Sequence, residues 1–302
     1  MYETDEIPES DMLDGVSATV IGGDGREIEY VRGLLADGAS VDACGLSSEA
    51  DEILGRPQNK DPADAVSGVD VVLHSVVYIT PEGYIFTPGW DEDIHQDVFA
   101  NMDAGSLLII GTATEEIHSM AEEQGFQILE YGDHDELMLL RAPTIIEGAL
   151  EIAIRETAVS IHDTKTAVLG FGRMGFSVTR TVELLGAKTS VVARDRSQLA
   201  RARELGATPV HLDNKLDALA DARIVFNTIP VEILSEDVLS AMRNDAVIVD
   251  LASVPGGTDF EAAEELGINA TLARGLGGRA PETAGRLQYH GIRQMIIDEL
   301  DL

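Results

Sequence analysis

Thr166-Ala167-Val168-Leu169-Gly170-Phe171-Gly172-Arg173-Met174-Gly175 decides how this chain is read. A short apolar run meets three glycines in G-x-G-x-x-G spacing, and a helix-compatible segment follows from Arg173 to Leu185. A strand turns into a helix in this way beneath a dinucleotide pyrophosphate. Gly170 permits the tight turn, Gly172 lets the backbone approach the phosphates, and Gly175 lets helix and strand pack closely. The helix N-terminus presents unpaired N–H groups and the positive end of its dipole to the anion. Gly170, Gly172, Arg173, Met174 and Gly175 are therefore the expected cofactor turn.

The next strand, Thr189–Ala193, ends at Arg194, where an NAD-binding domain usually carries an acid bonded to the ribose hydroxyls. An acid there would repel a 2′-phosphate, whereas a guanidinium pairs with it through a planar fork. The charge favours NADP over NAD, with Asp195, one residue on, as the competing ribose ligand. Further strands are expected at Pro209–Leu212, Ile224–Thr228, Ala246–Leu251 and Ile268–Leu272, alternating with helices. Together with Thr166–Gly170 they make a six-stranded doubly wound parallel sheet of Rossmann type. Its carboxyl-edge loops, Asn227-Thr228-Ile229-Pro230 and Asp250-Leu251-Ala252-Ser253, belong beside the nicotinamide end of the cofactor. Asn227, Thr228 and Pro230 join the cofactor residues on this ground, and Asp250 reads as a structural acid at a strand end. A glycine-rich run at 275–278 leads to Arg279-Ala280-Pro281-Glu282-Thr283 and a last helix to about Leu300.

The first half repeats the β/α alternation. Ser17–Ile21 reads as a strand, followed by Gly22-Gly23-Asp24-Gly25-Arg26 and a helix over Glu27–Leu35. This glycine turn lacks the third glycine at the right spacing and is read as a βα turn without a nucleotide. Asp24 and Arg26 still sit where loops line a cleft. Strands are expected at Ala39–Gly45, Val69–Val77, Leu107–Ile110, Gln127–Tyr131 and Glu136–Leu140, with residues 51–62 loop-like. His74 interrupts an apolar run, as either a satisfied core histidine or a catalytic one. The long loop Tyr78–Gln96 has the length of a site cover. No second histidine falls at ligand spacing from His134, so no metal site is expected. A connector helix starts at Ala142-Pro143-Thr144, either with Thr144 and Glu147 in capping-box spacing or with Pro143 in the first helical turn, and Glu147 is near the cleft. The expected division is a first domain over 1–142, a connector over 143–160 and a dinucleotide-binding domain over 161–302 that includes the last helix.

The 302 residues carry 54 acids against 21 bases, a net charge of −33. Only Lys60, Lys165, Lys188 and Lys215 are lysines. Such a chain repels nucleic acid and anionic membranes, and no apolar run approaches the ~20 residues of a membrane span. The acidic, lysine-poor surface suggests a salt-rich cytoplasm in which screening relieves self-repulsion. Cys44 is the single cysteine, which excludes an internal disulfide and fits a reducing compartment. The start M-Y-E-T-D-E-I-P has no signal-peptide character.

The chain resembles the family of the dipicolinate synthase A subunit. The resemblance lies in I-G-G-D-G-R-E (21–27), P-T-I-I-E-G-A (143–149), the turn A-V-L-G-F-G-R-M-G (167–175), N-T-I-P (227–230), D-L-A-S-V-P-G-G-T-D-F (250–260) and A-P-E-T-A-G (280–285). It implies a flavodoxin-like first domain, an NADP-binding second domain, a homo-oligomer and, as partner, a small flavoprotein-like B subunit. It also implies oxidation of a dihydrodipicolinate-type intermediate to a pyridine dicarboxylate. The chain departs from the family pattern at Val254, where an arginine is usual, and at Glu282, where a basic residue is usual. For such a reaction Ser253, Glu282, Thr283 and His74 are the candidate catalytic groups. Asp24, Arg26, Glu147, Arg274 and Arg279 are the candidates to hold the carboxylate substrate in an interdomain cleft. The alternatives are an NADP-binding regulatory or partner-binding protein, or a dehydrogenase of another small carboxylate. A 2-hydroxyacid dehydrogenase ranks lower, because His211 falls on an early strand and His290 in the last helix.

Overall fold

The central strands are short runs buried on both faces, the pattern of a parallel sheet between helix layers. In the computed structural model, residues 10–75, 79–132 and 134–302 are described. The lead-in at 1–9, the end of the Val69–Val77 strand, the first residue of the Tyr78–Gln96 loop and Asp133 lie outside the described residues. The chain divides into two compact units, residues 1–141 with 277–302, and residues 142–276.

The first unit holds β1 (Ser17–Ile21), α1 (Gly25–Ala36), β2 (Ser40–Cys44), α2 (Glu49–Leu54), α3 (Pro62–Val66), β3 (Val71–His74), β4 (Leu107–Ile110), α4 (Glu115–Gln124), β5 (Gln127–Glu130) and α5 (Asp135–Leu140). Its sheet is parallel in the order β2-β1-β3-β4-β5, the flavodoxin-like winding. In register, Ile21 lies between Cys44 and His74, so β1, β2 and β3 end together at the carboxyl edge. Val71 and Leu73 enter the core beneath α1, and Val72 enters the opposite core with Phe99 and Ile117.

The second unit holds α6 (Ala142–Glu156), β6 (Lys165–Leu169), α7 (Arg173–Leu184), β7 (Lys188–Ala193), α8 (Arg196–Glu204), β8 (Thr208–His211), α9 (Leu216–Leu219), β9 (Ile224–Asn227), α10 (Glu236–Ser240), β10 (Val247–Asp250), α11 (Phe260–Glu265) and β11 (Asn269–Leu272). The order β11-β10-β9-β6-β7-β8 is the doubly wound dinucleotide-binding arrangement, with its switch point between β6 and β9. The six expected strands appear here within a residue of their anticipated ends.

Three expectations give way. The segment Glu136–Leu140, read as a strand, lies in helix α5. Its Leu137 is buried against the face around Gly291, 3.1 Å from where a Cβ would sit. The polar stretch 51–62, read as a loop, carries most of α2, which ends on left-handed Gly55, and the Asp61 cap of α3. The last helix, α12 (Pro281–Leu300), read as part of the dinucleotide half, belongs to the first unit. It lies along α1, where Gly33 leaves room for the Tyr289 ring and Gly285 seats over the Arg26 carbonyl. The Tyr289 hydroxyl donates to Asp37 at 2.7 Å and the Tyr30 hydroxyl to Gln288 at 2.7 Å. Ile292, Met295 and Ile296 complete the core beneath them. Of the two starts expected for α6, the one with Pro143 in the first turn forms: the helix begins at Ala142, so Thr144 lies inside that turn and not at the cap.

Candidate functional site

The second unit's turn is built open. Gly170 has φ +88° and donates its N–H to the Val192 carbonyl at 2.9 Å. A Cβ on Gly175 would strike the Gly170 carbonyl, so the third glycine sets how closely α7 approaches β6. Gly172 caps α7 without any side-chain bond, no acid lies in the first turn, and nothing stands within 4 Å of its missing Cβ. A helix start with no side-chain cap, no acid in its first turn and clear space at the middle glycine is what a pyrophosphate requires. The residues present fit a dinucleotide. Arg173 is exposed and Met174 half-buried at the helix start.

Arg194 and Asp195 separate in role. The Asp195 carboxylate caps α8, accepting the N–H groups of Ser197 at 2.8 Å and Gln198 at 3.0 Å. Its hydrogen bonds to Ser197 and then Gln198 hold it below the usual carboxylate range. Arg194 is exposed and makes no ion pair among the described residues.

The loops after β9 and β10 are fastened to each other by Asp250. This fully buried carboxylate accepts from Asn227 Nδ2 (3.0 Å), Ala252 N (3.0 Å), Gly257 N (2.9 Å) and the Thr258 hydroxyl (2.7 Å). Asn227 also bonds the Ile229 carbonyl and N–H, and Thr228 donates twice to the Leu169 carbonyl. Asn227 and Thr228, expected at the cofactor, thus spend their side chains on the loop itself. Gly257 fits only because it has no Cβ, with the Val231 carbonyl 2.7 Å from that point. What the knot presents outward is Pro230, Ser253 and Val254, all exposed. Glu147, on α6, and Arg274, after β11, are exposed members of the same unit.

The first unit's turn is built closed. Asp24 caps α1 and Glu27 returns to the Asp24 N–H at 2.7 Å, a reciprocal capping box. The guanidinium of Arg26, almost wholly buried, forks onto Asp24 with two bonds of 2.8 Å. Burial opposes ionisation of both partners, and their pairing outweighs it: Asp24 is lowered and Arg26 raised. The long loop covers this turn. Gly23 donates to the Phe86 carbonyl at 2.7 Å, and the space of a Gly22 Cβ is taken by Ile85 and Phe86.

His74 is fully buried and donates its Nδ1–H to the Ile21 carbonyl, 2.9 Å away. Burial depresses its pKa to about 4, so the imidazole is neutral, and Nε2 has no partner among the described residues. Glu282 and Thr283, expected from the cofactor half, stand in the first turn of α12 and so belong to the first unit, as does exposed Arg279. Glu282 is exposed and reaches Arg286 at 3.5 Å.

One group escaped the reading of the sequence. Glu27 is completely buried, and its pKa is pushed up to about 7, first by burial and next by nearby Asp24, against the pull of Arg26. Asp24-x-x-Glu27 has capping spacing and could have announced it. Asp250 is the structural acid expected at a strand end, and its four donors come from segments that only the fold brings together.

Residues 17–132 match the family model of the N-terminal domain of the dipicolinate synthase A subunit, and residues 148–254 match the NAD-binding domain of D-isomer specific 2-hydroxyacid dehydrogenases. The chain is accordingly an NAD(P)-dependent oxidoreductase. It is 33% identical over 290 residues to the dipicolinate synthase A subunit of Bacillus subtilis, covering 95% of this chain and 98% of that protein. The crystal structure of the dipicolinate synthase A subunit from Bacillus halodurans superposes with a TM-score of 0.88 at 31% identity, covering 94% of this chain and 99% of that one. The crystal structure of its Bacillus subtilis counterpart superposes at 0.87, with 33% identity over 96% and 99%. A transhydrogenase from Sinorhizobium meliloti, at 16% identity over 93% and 95% with a TM-score of 0.68, shares the fold. By identity, coverage and architecture, the chain belongs to the family of the dipicolinate synthase A subunit.

Proposed function

We propose that the chain carries out NADP-dependent dehydrogenation of a dihydrodipicolinate-type cyclic carboxylate, and that its partner is a small flavoprotein-like B subunit. The observation that carries this reading is the match of residues 17–132 to the N-terminal domain of the dipicolinate synthase A subunit. That half is the one a substrate-specific model can distinguish, since dinucleotide-binding domains serve many substrates. Gly170, Gly172, Arg173, Met174 and Gly175 hold the pyrophosphate, and Pro230 flanks the nicotinamide end. Arg194 takes the 2′-phosphate, a reading supported by its exposure and by the commitment of Asp195 to helix capping. The bound nicotinamide supplies a two-electron acceptor.

Among the candidate substrate residues, Arg26, Arg274 and Arg279 carry guanidinium forks of the kind that hold carboxylates, and Asp24 and Glu147 carry acids. Ser253 and Thr283 supply hydroxyls and Glu282 a carboxyl for proton handling, and neutral His74 supplies an acceptor nitrogen. A salt-rich cytoplasm, in which screening relieves self-repulsion, is consistent with the net charge of −33.

The test is titration of the protein with NADPH and NADH in molar salt, with and without dipicolinate. NADPH binding that dipicolinate tightens is expected. Arg194→Asp should raise the NADPH Kd by roughly a hundredfold, the scale of one lost charge-assisted pair, while moving NADH little. Equal weakening of both cofactors overturns NADP, and NADPH binding indifferent to dipicolinate overturns the substrate.

A further inference from the structure

We propose that capture of a carboxylate ligand at Arg26 is coupled to uptake of one proton by Glu27. The proposal rests on the reading of Arg26 as a substrate-binding group. Asp24 already shows how a carboxylate sits there: both its oxygens lie on the Arg26 fork at 2.8 Å. Arg26 is 3% exposed, whereas the Asp24 side chain keeps about a quarter of its surface open. A ligand carboxylate reaches the fork by replacing Asp24, an exchange of like for like. Asp24 and Glu27 share the first turn of α1, and Glu27 Oε2 holds the Asp24 N–H. After the exchange three carboxylates surround one buried guanidinium, and the most buried of them is Glu27, at 0%.

Among the described residues, Arg26 is the one cation that bears most strongly on Glu27. Arg26 and Asp24 face it from its own turn and Tyr30 from the next one. Ser75, after β3, directs its hydroxyl at the same carboxyl, and Tyr131, after β5, lies within electrostatic reach with Arg141 behind it. From α12, Gln288 is taken by Tyr30 and Arg286 by Glu29. Glu27 Oε1 has no partner among the described residues. A buried oxygen left so is tolerated far better as part of a neutral acid than of an anion. The carboxyl already titrates near neutrality before any ligand arrives, so one more negative neighbour is enough to protonate it at working pH.

Dipicolinate binding to the full-length protein, measured calorimetrically from pH 6 to 8.5 in two buffers of different ionisation heat, tests this. One proton taken up per ligand, and a Kd that rises toward tenfold per pH unit above about 7, are expected for a single linked proton. Glu27→Gln, which imitates the neutral acid, should bind as wild type does at pH 6 and stay flat with pH. Wild-type binding without pH dependence, or a Glu27→Gln variant that keeps the slope, overturns the coupling and leaves the proposed function standing. Failure of dipicolinate to bind at any pH overturns both. In that case an infrared carboxylic-acid band present at pH 6, lost at pH 8 and missing in Glu27→Gln marks the substrate reading, and not the titration, as the fault.

Discussion

The molecule contains two glycine turns at the start of two α/β sheets, and they are opposites. After β6, Gly172 stands in clear space, the helix start carries no acid and no side chain caps it. After β1, Asp24 and Glu27 fill the helix start with two carboxylates, and the loop around Phe86 occupies the remaining room. The positive end of a helix attracts an anion either from a ligand or from the chain itself. The second unit leaves that place for a ligand and the first fills it from its own sequence. Glycines therefore do not announce a nucleotide by themselves; the residues at cap and third helical positions decide.

The sharpest way to break the comparison is to unfasten the loops beside the open turn. Asp250→Ala strands four donors in the buried knot and should cost about 3–5 kcal/mol, the scale of removing one member of a buried polar network. Urea denaturation would register it, with NADPH affinity falling together with stability.

The closed turn has the opposite weakness, its own charge. Glu27 has a pKa of about 7 in the folded protein against an ordinary 4.5. The fold binds this proton more tightly than the unfolded chain does. Stability from Glu27 is therefore full below about 4.5 and is lost as pH rises through about 7. The gap amounts to about 3 kcal/mol at roughly 1.4 kcal/mol per pH unit. Glu27→Gln should unfold at higher urea than wild type at pH 8, with the advantage shrinking toward pH 5. His74 runs the other way. Its pKa of about 4, below the ordinary 6.5, means stability lost as pH falls from 6.5 through about 4.

Three smaller changes sharpen the contrast. Gly172→Ala meets no atom, so it should leave the melting temperature unmoved while raising the NADPH Kd about tenfold through crowding of the pyrophosphate. The same substitution at Gly23, where φ is +122° and the Cβ would meet Glu27, should lower stability by about 1–3 kcal/mol and spare NADPH binding. Last, Asp195→Ala removes the α8 cap and should cost about 1 kcal/mol, without converting the site to NADH.

Much of this was legible from residue patterns because the central strands are buried on both faces and the turns carry glycine at fixed spacing. Leu107–Ile110 could hardly be anything else. Leu137-Met138-Leu139-Leu140 was ambiguous, since a short apolar run suits a strand or a helix. Packing against α12, distant in sequence, chose the helix. The same distance hid the place of α12, whose Gly285 and Tyr289 have meaning only beside Arg26 and Gly33. At the candidate site, Gly170, Gly172 and Gly175 carry their role in their spacing. Asn227 and Asp250 were recognisable as important, but not as each other's partners. The burial that sets Glu27 and His74 apart is a property of the assembled core and leaves no local mark.

The return of α12 to the first unit makes residues 142–276 an insertion within it. In biosynthesis the order of completion is then reversed relative to the order of emergence. The inserted unit has its whole sheet in hand once β11 leaves the ribosome. The earlier unit must wait, with the faces of α1 and α5 uncovered, for Tyr289, Ile292 and Ile296 to arrive. A chaperone that shields nascent apolar surface would therefore hold the first-made half longest.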